Sequence, residues 1–137
     1  MRTPIGLLSA CALAGLLSAA VAQAQPASPN AAFDGTYRFL SSTKVNPMYT
    51  KKGVSAPCPD RTPGPLTIAA GAARYTTASG YDVSGAVGPH GELALKVVVA
   101  GDSRPLELDA TGDIDANGKA HARQRGPSCS YDFVWQK

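Results

Sequence analysis

Apolar and polar residues alternate with a period of two through several short stretches of the chain: Leu66-Thr67-Ile68, Tyr81-Asp82-Val83, Leu93-Ala94-Leu95-Lys96-Val97 and Leu106-Glu107-Leu108. Successive side chains of an extended strand point to opposite faces, so this period predicts strands with one face buried. Cys129 to Trp135 carries the same pattern in larger residues, with Tyr131, Phe133 and Trp135 on the face of Cys129. A first strand is predicted at Thr36-Tyr37-Arg38-Phe39-Leu40, opened by Asp34-Gly35, with Tyr37 and Phe39 on one face and Arg38 on the other. The aromatic face of the last strand is expected to point inward and to contact this first strand. Glycine-bearing breaks recur at Ala70-Gly71, Ser79-Gly80, Pro89-His90-Gly91, Gly101-Asp102 and Asn117-Gly118, where hairpin turns need a left-handed residue.

A short internal repeat supports a meander. Asp82-Val83-Ser84-Gly85-Ala86-Val87, followed by Gly91, aligns with Asp109-Ala110-Thr111-Gly112-Asp113-Ile114, followed by Gly118, at an offset of 27 residues. The shared unit reads as strand, glycine, strand, turn. Two copies are too few for a solenoid and describe two similar hairpins in one sheet. The expected fold class is therefore all-β: a small antiparallel meander of about 7–9 strands closed as a barrel or stacked as a sandwich. Between the first strand and Leu66 the alternation stops. The segment 42–65 holds Pro47, Pro57, Pro59, Pro63 and Pro65 with Gly53 and Gly64, which excludes a regular helix and any central strand and predicts one long loop.

The N-terminus changes the picture of where this domain works. Arg2 is its single charge; an apolar run follows from Ile5 to Val21, then Ala22 and Ala24 flank Gln23. That is the order of a cleavable export signal. Residues 1–24 are expected to be the signal peptide, cut after Ala24, with Ala22 the alternative; residues 25–32 form a disordered Pro, Ala and Ser linker, and 33–137 a single domain. Gly15 interrupts the apolar run and no charged flank follows it, so no retained membrane span is expected. Leu8-Ser9-Ala10-Cys11 matches a lipoprotein processing order, but little chain precedes Cys11 and the apolar run continues past it. The expected location is periplasmic or secreted, in a bacterium.

Loss of Arg2 with the signal lowers the formal net charge from +3 to +2, too little to argue for nucleic acid. Of three cysteines, Cys11 leaves with the signal, so Cys58 and Cys129 form an even pair in an oxidising compartment. They are predicted to be bridged, the alternative being two buried thiols. A cross-link over this span stabilises a fold by about 4 kcal/mol in the chain-entropy account.

Candidate chemistry is sparse. Asp113-Ile114-Asp115-Ala116-Asn117-Gly118 reproduces the start of a calcium loop, with Asp113, Asp115 and Asn117 as the weak calcium candidates. The twelfth position, where a bidentate Glu belongs, is Gln124, and Lys119 and Arg123 bring the wrong charge. An Asn-Gly hairpin turn is the favoured reading, and neither His90 nor His121 has a partner at metal spacing. No nucleophile elbow, zinc-protease, phosphate-loop or Cys-x-x-Cys motif occurs. No catalytic residue, metal or cofactor is assigned, and the protein is expected not to be an enzyme.

Binding chemistry has more to work with. If Cys58 joins Cys129, then Lys51, Lys52 and Arg61 approach Arg123 and Arg125, forming a basic patch for an anionic envelope polymer, a phosphorylated lipid head group or an acidic partner. The alternative is a solvated rim. The aromatic residues Tyr37, Phe39, Tyr75, Tyr81, Tyr131, Phe133 and Trp135 all fall on predicted strands, where filling a core is the default and lining the mouth of a barrel the alternative.

From Phe33-Asp34-Gly35-Thr36-Tyr37, through Cys58, Leu66-Thr67-Ile68 and the two glycine-centred repeats, to Cys129-Ser130-Tyr131, the chain resembles small exported bacterial β-domain proteins of unassigned function. In size, export and a disulfide near the last strand it is also similar in outline to the β-barrel inhibitors that bacteria deploy against lysozymes and proteases. The resemblance transfers no catalytic or binding residue; a loop held by a rigid scaffold commonly carries recognition, so the expected function is an exported, non-enzymatic binding module of the cell envelope with the Thr43 to Gly64 loop and its neighbouring basic residues as contact surface. An inhibitor of a secreted hydrolase and a small-ligand carrier are the alternatives. The chain recovered from its host is expected to start at Gln25 and to take up alkyl groups at Cys58 and Cys129 only after reduction. Intact-mass measurement before and after alkylation reads both, and free thiols or a lipid-modified Cys11 would contradict the expectation.

Overall fold

The computed structural model describes residues 31–99 and 106–137. The expected signal peptide, Cys11, most of the expected linker and the Gly101-Asp102 break lie outside them. Ala31–Phe33 form a 3-10 turn. The strands that follow are β1 (Gly35–Lys44), β2 (Met48–Lys51), β3 (Val54–Pro57), β4 (Leu66–Ala69), β5 (Ala72–Thr76), β6 (Asp82–Val87), β7 (Glu92–Val99), β8 (Leu106–Ile114), β9 (Lys119–Arg125) and β10 (Ser130–Gln136).

Eight strands close into a barrel rather than a sandwich: β4 to β10 pair in chain order, and β1 closes the ring between β10 and β4. Every pairing is antiparallel. The last strand thus meets the first, with Phe39 opposite Trp135. A bulge between Phe39 and Ser41 adds a residue to β1 and reverses its facing, which leaves Leu40 exposed on the outer wall.

The interior is filled chiefly from β10. Tyr131, Phe133 and Trp135 are buried in a row, and directly across the ladder stand Gln124, Ala122 and Ala120 of β9. Small residues on one strand give the rings of the next the volume they need. Tyr75 packs on Trp135 with ring centroids 5.3 Å apart, and Phe133 meets Trp135 edge to face at 5.6 Å. Trp135 also donates its indole N–H to the carbonyl of Gly64 at 3.0 Å, which draws the chain before β4 against the core.

The repeat corresponds to two hairpins of the barrel, β6–β7 and β8–β9. Gly88 N–H to Glu92 O and Asp115 N–H to Lys119 O are the same turn bond, 27 residues apart. The repeated glycine does not separate two strands, however. Gly85 and Gly112 each lie inside one strand, opposite Leu95 and Ala122. A Cβ at Gly85 would collide with the backbone of Ala94 and Leu95, and one at Gly112 with that of His121 and Ala122. The two glycines therefore let neighbouring strands approach closely enough to bend the sheet shut.

The segment expected as one long loop is more ordered than that. β1 continues to Lys44, and β2 and β3 form a hairpin that pairs with no barrel strand. Its turn is Lys52-Gly53, with φ of 51° and 77°, the two left-handed residues that a tight hairpin turn needs. Pro47 lies before this hairpin and Pro57 ends it on an edge, where no ladder N–H is lost.

Replacing Gly85 or Gly112 by Ala is expected to destabilise the barrel by about 1–3 kcal/mol each through overpacking, lowering Tm by several degrees. Ser84→Ala, on an exposed position beside Gly85, should leave Tm within a degree or two in the same thermal unfolding experiment.

Candidate functional site

Antiparallel alternation puts the hairpin, the β5–β6 connection, the β9–β10 turn and the start of β8 at one end of the barrel. Cys58 and Cys129 are bridged there, with Cα atoms 5.8 Å apart. Asn46 reinforces this bridge. Its side-chain amide donates to the carbonyls of Ser128, at 2.8 Å, and Met48, at 3.2 Å, and its carbonyl accepts from the Ser130 backbone N–H at 2.8 Å. One side chain and one disulfide thus tie the base of the hairpin to the turn that precedes β10.

A cavity of about 290 Å³ opens at this end. Gln124, Tyr131, Phe133 and Leu108 line its inner part; Thr77, Ser79 and Tyr81 form one side; Pro59 and Arg61 form another; Tyr49 and Lys51 come from the hairpin. Tyr131 and Phe133 stack, with centroids 5.8 Å apart and planes 6° from parallel. Tyr131 donates its hydroxyl to the carbonyl of Pro59 at 2.8 Å, so the tethered segment is anchored to the wall it covers. Arg61 donates to the hydroxyl of Ser79 at 3.1 Å.

Gln124 is a buried polar side chain, 7% exposed, on the inward row of β9 after Ala120 and Ala122. Its Oε1 accepts the hydroxyl of Tyr75 at 2.7 Å across the barrel. Burial, with Asp109 adding to it, raises the Tyr75 phenol well above its ordinary value, so it stays a neutral donor. With the hydroxyl as donor, Oε1 is the accepting end of the amide. Nε2 then has no acceptor among the described residues, in a side chain that lines the cavity. A buried amide left partly unsatisfied costs about 1–3 kcal/mol.

The basic residues singled out in the sequence divide among three places. Lys51 and Arg61 line the cavity, and Lys52 sits in the exposed hairpin turn. Arg123 and Arg125 lie on the outer face of β9, each paired with a carboxylate. Arg123 makes two bonds of 2.8 Å to Asp132, and Arg125 meets Asp109 at 3.2 Å. The Arg123 guanidinium holds the Asp132 carboxyl below the usual carboxylate range.

Around the weak calcium motif, Asp115 spends its Oδ1 on the backbone N–H groups of Asn117 and Lys119, at 2.8 and 2.9 Å. These bonds close the β8–β9 turn and, the one from Lys119 foremost, lower the Asp115 pKa. Asp113 is exposed on β8 opposite His121. Among the described residues no three His, Cys, Asp or Glu side chains gather as a metal site.

Sequence reasoning missed Gln124, Tyr49 and Asn46. Gln124 had a signal: it continues the inward phase of Ala120 and Ala122, where a polar residue is out of place. Tyr81, expected within a strand, precedes β6 at the cavity rim. No protein-family model, characterised protein or solved structure matches the chain.

Tyr75→Phe is expected to destabilise by about 1–2 kcal/mol, because the Gln124 carbonyl loses its donor. Adding Gln124→Leu to that variant should recover most of the loss, and urea unfolding of the two singles and the double measures the coupling.

Proposed function

We propose that the protein is a non-enzymatic binding protein of the periplasm or the secreted fraction, and that it holds a small ligand in the disulfide-braced mouth of its barrel. The observation that carries this reading is the buried Gln124 amide, with a donor that meets no acceptor among the described residues, on the wall of an aromatic-lined cavity. Barrels of eight strands are wide enough to take one small ligand, and such sites combine apolar walls with a few placed polar groups. The cavity offers rings, donors and cations, the groups that hold a molecule in place. The disulfide, and the absence among the described residues of a helix able to cross a membrane, are compatible with the proposed location.

A second reading, contact with a protein, has its own support. Met48 and Val54 on the hairpin are 50% and 67% exposed, beside Lys51 and Lys52, and an inhibitor of a secreted hydrolase would use such a projecting element.

Titrating small aromatic acids into the isotope-labelled protein distinguishes the two. A ligand-binding protein should show amide shifts concentrated at Arg61, Tyr81, Gln124 and Tyr131, with lysozyme and protease activities unchanged on addition of the protein. Loss of hydrolase activity together with shifts confined to Met48 to Pro57 would favour the second reading.

A further inference from the structure

The interior row of β9 differs from its counterpart in the repeat. At the offset of 27 residues, Ala120, Ala122 and Gln124 correspond to Leu93, Leu95 and Val97 of β7. The same backbone unit fills its share of the barrel with branched apolar side chains in one copy. In the other it has truncated two of them and placed an amide at the third, at the inner wall of the cavity. Val97 packs against the core as an apolar side chain should, so the backbone itself does not call for a polar group there.

The polar character of the cavity is one-sided. Gln124 Nε2 is a donor with no acceptor among the described residues, and Arg61 spends one N–H on Ser79. Lys51 adds a second cation. No carboxylate lines the space among the described residues, and Asp60, the acidic neighbour of Arg61 in the chain, is held by Lys44 at 2.7 Å. Tyr131 and Phe133, stacked on each other, line the same space. The volume of about 290 Å³ equals that of about ten waters at the liquid share of ~30 Å³ each, room for a two-ring molecule.

We propose that the ligand is a small, flat aromatic monoanion, with a carboxylate at the rim between Arg61 and Lys51 and a pure acceptor, an ether or carbonyl oxygen, reaching Gln124 at the inner end. A guanidinium receives a planar carboxylate through parallel bonds. An inner site with only a donor to offer selects against a ligand hydroxyl or amine that must itself donate. This specificity rests on the reading of the cavity as a ligand site.

The test uses 6-methoxy-2-naphthoate as probe, with calorimetry on the purified protein. Its neutral methyl ester and 2-naphthoate, which lacks the ether oxygen, serve as comparisons. The acid should bind best, with the ester and 2-naphthoate each weaker by roughly tenfold, the scale of one lost hydrogen bond to a charged or buried group. Arg61→Gln should bring the acid down to the ester, and Gln124→Met should erase the advantage of the ether-bearing probe over 2-naphthoate. Because ester and acid are compared on the unaltered protein, the outcome does not depend on how the variants fold. Equal binding of acid and ester, with amide shifts still at Gln124 and Tyr131, would overturn the anion specificity and leave the ligand site standing. Absence of binding by all three probes, with no shift at Gln124 or Tyr131, would overturn both.

Discussion

Phe133 and Trp135 stand side by side inside so narrow a barrel only because the neighbouring strand presents Ala122 and Ala120 to them. Close packing allows no other arrangement: a branched side chain at either alanine would need the volume that a ring already occupies. The rest of the architecture depends on this pairing of one crowded strand with one empty one. Gly85 and Gly112 let adjacent strands approach and bend, and Tyr75 closes the aromatic cluster from the far side. Gln124 then stands opposite Tyr131, where the large-against-small pattern ends and the cavity begins.

What gives the cavity at that end its walls is the tether. The connection from β1 to β4 leaves the barrel as a separate hairpin, whose pairing is wholly internal. Without restraint it would sample many positions over the mouth. The Cys58–Cys129 bridge, the bonds of Asn46, and the Tyr131 hydroxyl on Pro59 hold the return segment against the wall of β10. The disulfide therefore has two roles: it stabilises a domain small enough to need a staple, and it fixes Arg61 beside the inner rings.

How much of this was legible depended on which physical signal each element carried. β4, β6, β7 and β10 bury one face of large apolar residues and could be read from alternation alone. The pairing of β10 with β1 followed from aromatic faces that needed a common interior. β9 was harder, because its inward residues are Ala120, Ala122 and Gln124, and alanine against charge makes a weak apolar pattern. The β2–β3 hairpin was hidden by its prolines, which exclude a central strand but not two short edges. Gln124 entered the sequence reading only as the wrong residue for a calcium loop, since its significance comes from a register that places it inside a barrel. Arg123 and Arg125 illustrate the converse. Proximity in sequence to Cys129 put them near the bridge, but strand alternation turned both outward onto Asp132 and Asp109.

The repeat gives the divergence of β9 its meaning. Two hairpins share their turn bonds and their strand glycines at one offset, so what the two copies hold in common is the backbone that closes the barrel. What differs is the inward row: Leu93, Leu95 and Val97 against Ala120, Ala122 and Gln124. The alanines are explained by the rings of β10, a matter of packing alone. Gln124 is not explained that way, because Val97 shows that an apolar residue suits the equivalent position and because half of the amide is left unpaired among the described residues, at a cost to stability. A fold that accepts valine at the equivalent place, and here carries a glutamine whose Nε2 meets no acceptor among the described residues, holds a donor that packing does not account for.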